Sequence, residues 1–151
     1  MAPRVLVIGG GPNQLDLVMR AKLRGCWVAV SDINKNPPCR SLADEFFQID
    51  TTEKAETLRA AKAIQVSAVV TDQSDVAVPT AAYIAEELNL PGIGFETALR
   101  FTNKNLMRKA IAVSHPELLP ESRLFESESE LIAHLNSPDM KYQTLLVKPM
   151  N

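Results

Sequence analysis

The segment Gly9-Gly10-Gly11-Pro12-Asn13-Gln14 lies between an apolar run and a helix-like stretch, and its residue types and spacing suit ligand chemistry. Glycines let a backbone approach a ligand closely, and a helix start behind them offers unpaired N–H groups to an anion. Gly9 and Gly11 match the first two glycines of a dinucleotide fingerprint, and Asp32 ends the next strand at the distance expected for a ribose partner. Gln14 stands where the third glycine would let helix and strand pack closely, so the fingerprint is incomplete. Three readings are therefore open for Gly9, Gly10, Gly11, Asn13 and Gln14: an anion or substrate site on the helix N-terminus, a structural tight turn, or a dinucleotide site. Asp32 has two, as an acceptor for a ligand hydroxyl or as a cap for the loop that follows.

The other reactive residue types form no such pattern. Cys26 and Cys39 flank a predicted strand, and His115 and His134 have no ligand-like spacing to them or to each other. Two reduced thiols and no metal site are the expectation. A net charge of -2 with both signs mixed along the chain gives no field that argues for nucleic acid or a membrane surface. No apolar run approaches the roughly 18 residues that span a bilayer, and the start leads directly into a strand rather than a signal peptide. Small-molecule or protein partners and a cytoplasmic location are expected.

The elements that position these residues alternate. Arg4-Val5-Leu6-Val7-Ile8 reads as a strand buried on both faces, and it enters the glycine turn. Pro12 suits the first turn of a helix whose apolar side is Leu15, Val18, Met19 and Leu23. Residues 27–30 are a second strand, parallel to the first because the helix makes the crossover. Residues 45–49 and 67–71 continue as strands, with a helix over 52–64 between them and another running to about Leu88, capped by Ser74 or Asp75. After Gly94 the pattern changes to short helices at 95–101 and 103–112, the second capped by Asn103. A strand-like stretch at 122–125, a capping box of Ser127 and Glu130, and a closing strand over 144–147 follow. The closing strand reads as unfinished at Asn151, which predicts a chain cut from something longer.

In order, these segments resemble the ATP-grasp family, in particular the N-terminal portions of biotin carboxylases, the carbamoyl-phosphate synthetase large subunit, purine-pathway ribonucleotide ligases and amino-acid ligases. Residues 5–14 resemble its first strand and glycine turn, and 31–34 through Ala43-Asp44 its Asp-x-Asn-Pro to Ala-Asp passage. Leu88-Asn89-Leu90-Pro91-Gly92, then Thr102-Asn103-Lys104 and Leu106-Met107-Arg108, are similar to its Leu-Pro-Gly turn and Asp-Lys helix start. Leu145-Leu146-Val147-Lys148-Pro149 is similar to its Val-Val-Lys-Pro strand. The chain departs at Asn103, where Asp is usual, and the family's glycine-rich phosphate loop does not follow Met150-Asn151.

The resemblance implies an α/β chain: a Rossmann-like pre-ATP-grasp parallel sheet with helices on both faces over 1–94, a helical linker over 95–120, and the incomplete start of an α+β ATP-grasp subdomain over 121–151. It implies ATP with Mg2+ as cofactor, Lys104 and Lys148 as ATP-phosphate contacts, and a homodimer through the N-terminal domain. A lysine at a helix start is disfavoured by the helix dipole without a nearby anion, and one on a buried strand is hard to explain as a surface charge. The implied reaction is ligation or carboxylation through an acyl-phosphate. Because the family's metal ligands lie beyond the Lys-Pro strand, no catalytic residue is assigned and this chain alone is expected to be inactive. The alternatives are a non-catalytic Rossmann-like ligand-binding module and a fragment of a dinucleotide-dependent oxidoreductase.

Overall fold

The structure, a computed structural model, describes residues 2–137 and 145–148. Contacts divide the chain into a unit of residues 1–102 and one of residues 103–151.

The first unit is a four-stranded, all-parallel sheet made of β1 (Arg4–Ile8), β2 (Trp27–Ser31), β3 (Glu45–Phe47) and β4 (Ala68–Val70), in the order β3-β2-β1-β4. Pleating sends alternate side chains of β1 to opposite faces. Val5 and Val7 meet Val18 of α1 (Leu15–Leu23), while Leu6 and Ile8 meet Ala61 of α2 (Lys54–Ala63) and Ile84 of α3 (Val78–Glu87). Both faces are therefore covered, which is why β1 reads as an unbroken apolar run instead of an alternating one. The expected α/β, Rossmann-like sheet with helices on both faces is present.

The order also fixes where a ligand would bind. The chain reverses direction of travel across the sheet between β1 and β4, and the crevice at the carboxyl ends of such strands is the usual ligand position of open α/β sheets. The glycine turn leaves β1 at that edge. Helix α4 (Phe95–Thr102) packs on α3 within the first unit, where Tyr83 and Phe95 meet edge to face at 5.6 Å.

In the second unit α5 (Lys104–Ser114) starts at Asn103, whose Oδ1 accepts from the N–H groups of Asn105 and Leu106 at 3.0 Å each, as the sequence predicts. At the start of α6 (Glu128–Leu135), Ser127 Oγ accepts from Glu130 N–H at 3.2 Å. Glu130 returns the contact to the N–H of Glu126, one residue earlier than in the usual box.

Two expectations fail. Residues 122–125 and 145–147 are not strands, because strand-forming residues need a partner to pair with and these have none among the described residues; Thr144 lies outside those residues. Neither Ser74 nor Asp75 caps α3: Ser74 precedes a 3₁₀ turn, Asp75–Ala77, and its side chain makes no capping bond. No residue of α5 or α6 is fully buried, and Val113, Leu118 and Leu146 are 87%, 70% and 79% exposed, so the described part of this unit has no core of its own.

Candidate functional site

The glycine turn is bound on several sides. Gly9 has φ +93°, a conformation that side chains rarely adopt, and its N–H extends the β1–β2 ladder by donating to the Ser31 carbonyl at 2.8 Å. Gly10 is the point of closest approach: a Cβ there would lie 2.9 Å from Val30 Cγ1 and 3.0 Å from Pro37 Cγ. Its N–H donates to Asp32 Oδ2 at 2.7 Å and its carbonyl accepts from Cys39 N–H at 3.0 Å. The carbonyl of Gly11 takes Gln14 N–H at 3.1 Å and the Cys39 thiol at 3.3 Å.

Asp32 is thus placed by geometry in its capping role. Oδ2 takes the glycine turn, and Oδ1 takes Asn34 N–H at 2.8 Å in a turn of the loop after β2. One carboxylate ties the loop after β1 to the loop after β2.

Gln14 explains the missing third glycine. Its side chain is 5% exposed and folds back under the turn, with Oε1 only 3.2 Å from where a Gly11 Cβ would be. Its Nε2 donates to the Asp72 carbonyl beyond β4, next to Gln73 in the left-handed region at φ +50°. The amide fills, with its hydrogen bond, the space that glycine would leave for close helix–strand contact. The turn therefore joins the carboxyl ends of β1, β2 and β4, the strands on either side of the crevice. Asn13 is exposed, and because the helical bonds begin with Gln14 N–H, its own N–H faces no intrahelical acceptor.

Charges here are modest. Burial pushes the Cys39 thiol up, and the Asp32 carboxylate adds to the effect, so this thiol stays protonated. Cys26 and Cys39 are both free. Just before β3, Asp44 is held below the usual carboxylate range by Lys22, whose Nζ lies 2.5 Å from Oδ1, despite the opposing effect of partial burial; Val28 N–H adds to the lowering. Among the described residues no group of three or more His, Cys, Asp or Glu is gathered as a metal site. No helix among them is long and apolar enough to cross a membrane.

The two lysines belong to the second unit. Lys104 is the first residue of α5 and half-buried, and Asn103 caps the helix through the amides of Asn105 and Leu106. Lys148 is exposed and on no strand, contrary to the buried strand expected for it. Arg108 is half-buried on α5.

Sequence reasoning missed the supports of the turn: Pro37, Cys39 and the Asp72 carbonyl. Pro37 and Cys39 sit in a loop legible only as turn residues, and a backbone carbonyl leaves no trace in residue type.

Comparison with solved structures places this geometry. A phosphoribosylglycinamide synthetase from Anaerococcus prevotii is 27% identical with TM-score 0.69, over 89% of this chain and 34% of that one. N5-carboxyaminoimidazole ribonucleotide synthetase from Thermotoga maritima is 20% identical with TM-score 0.63, over 87% of this chain and 36% of that one. N5-carboxyaminoimidazole synthetase from Staphylococcus aureus, solved with ADP, is 18% identical with TM-score 0.60, over 74% and 29%. These neighbours are ATP-grasp enzymes, and the last two show shared fold only. The chain spans about a third of the length of the structures it matches. No protein-family model and no curated protein matches it.

Proposed function

We propose that this chain supplies the Rossmann-like portion, and the lysines that meet ATP, of an enzyme that activates a carboxylate with ATP. The supporting observation is the match to the phosphoribosylglycinamide synthetase, which runs through 89% of this chain at TM-score 0.69 and so extends beyond the first unit into the second. In the proposed reaction a carboxylate oxygen attacks the γ-phosphorus of ATP, ADP leaves, and the acyl-phosphate passes its acyl group to an amine with release of phosphate. Lys104 and Lys148 neutralise phosphate oxygens whose charge grows at the leaving group. The chain carries no assigned catalytic residue; metal ligands come from segments outside it. Residues 121–151 are the beginning of the nucleotide-binding subdomain, a reading that the exposed Leu124, Ile132 and Leu146 support, since a core in the complete subdomain would cover them.

The glycine turn faces the second substrate. Its latch by Asp32 and Gln14 supports that role over a dinucleotide site, because the space under the turn is filled and Asp32 holds protein N–H groups with both oxygens. Calorimetric titration with MgATP, comparing Lys104→Ala and Lys148→Ala, tests the reading, with NAD as the competing ligand.

A further inference from the structure

The loop between β2 and β3 borders an open, shallow depression of about 360 Å³ lined by Asn36, Pro37, Arg40 and Ser41, of which only Pro37 is buried. Arg40 is fixed in it. Its Nη1 donates to the Lys35 carbonyl and to Asn36 Oδ1, and the guanidinium carbon lies 4.7 Å from the ring centroid of Phe46 on β3. Both hydrogen bonds use Nη1. The Nε–Nη2 edge, which presents two parallel donors to a carboxylate or phosphate, has no partner among the described residues, and no carboxylate there forms an ion pair with Arg40.

An ordinary surface arginine keeps its rotamers and spreads its head in water. Arg40 is also exposed, but a ring and two oxygens restrict its head before any ligand arrives, which lowers the entropy cost of gripping an anion. The loop is not free to swing either, since Pro37 rests on Gly10 and Cys39 N–H donates to the Gly10 carbonyl at 3.0 Å.

We propose that Arg40 is a binding residue that receives the anionic group, carboxylate or phosphoryl, of a small ligand seated in this depression. The inference goes beyond the ATP reading and does not rest on it, because Arg40 lies in the first unit whereas Lys104 and Lys148 lie in the second.

The test is an NMR titration of the arginine Nε–H resonances with pyrophosphate, with succinate and with chloride at constant ionic strength. The Arg40 resonance, identified by its loss in Arg40→Lys, moves saturably with pyrophosphate, succinate or both, and not with chloride. A response to only one assigns the group as phosphoryl or carboxylate. By calorimetry Arg40→Lys, which keeps the charge and loses the fork, binds that anion about tenfold or more weakly, while MgATP binding is unchanged. Absence of any saturable shift in the native protein overturns the proposal, and so does a lysine variant that binds as tightly as the native chain. If the lysine variant does not fold, the resonance is identified by its loss in Arg40→Gln, and its titration in the native protein still decides.

Discussion

The backbone N–H of Gly10 and the Oδ2 of Asp32 are 2.7 Å apart, and the same carboxylate holds Asn34 through its other oxygen at 2.8 Å. A single side chain therefore sets the position of the glycine turn relative to the loop after β2. Asp32→Asn has the same shape but offers one acceptor where two are needed and turns an N–H toward another N–H. It should lower stability by about 1–3 kcal/mol, the cost of leaving a partly buried donor unmatched. Urea denaturation measures it, and a variant as stable as the native protein would mean that the latch carries no weight.

Gly10 is required for space and Gly9 for conformation, and the two requirements separate experimentally. Gly10→Ala puts a methyl group 2.9 Å from Val30 Cγ1 and should cost about 1–3 kcal/mol through overpacking. Adding Val30→Ala should recover part of that loss. Gly9→Ala meets only ordinary contacts, the nearest at 3.5 Å, but strains the backbone at φ +93°, so Val30→Ala should give it no relief. A double-mutant cycle reads the difference, and equal coupling in both pairs would refute this division.

Asp44 gives stability a pH dependence of known sign. Its folded-state pKa is depressed, first by the hydrogen bond from Lys22 and then by Val28 N–H, against partial burial. The contribution is present in full above the unfolded carboxylate value of about 3.9 and disappears as pH falls through the lower folded value. Asp50 acts in the same direction through the Thr52 N–H and hydroxyl. Asp44→Asn should therefore lower stability at neutral pH and make the acid limb shallower without abolishing it. Denaturation midpoints from pH 6 down to pH 2 supply the check; an unchanged acid limb would show the Lys22 contact to be energetically idle.

The sheet unit was legible because its strands are buried on both faces and its punctuation is local: Val5 to Ile8 can only be a covered strand, and Asn103 and Ser127 announce helix starts by short-range hydrogen bonds that the structure contains. What sequence could not settle depends on partners distant along the chain. Gln14 looked like a defect in a fingerprint until its amide was seen to reach Asp72, 58 residues away. Asp32 offers two roles with equal logic in the sequence, and the one that the structure displays is the capping one, with a backbone N–H on each oxygen. Leu145, Leu146 and Val147 have strand composition, yet composition alone makes no ladder without a neighbour, and all three are exposed.

The most direct measurement is calorimetric titration of the protein encoded by the complete reading frame with MgATP, in native form and as Lys104→Ala and Lys148→Ala, with NAD titrated in parallel. The expected result is saturable ATP binding weakened about tenfold or more by each lysine substitution, the loss of a charge-assisted phosphate contact, and no heat with NAD. ATP binding that is absent, or indifferent to both lysines, would contradict the ligase reading, and saturable NAD binding would return the glycine turn to a dinucleotide site.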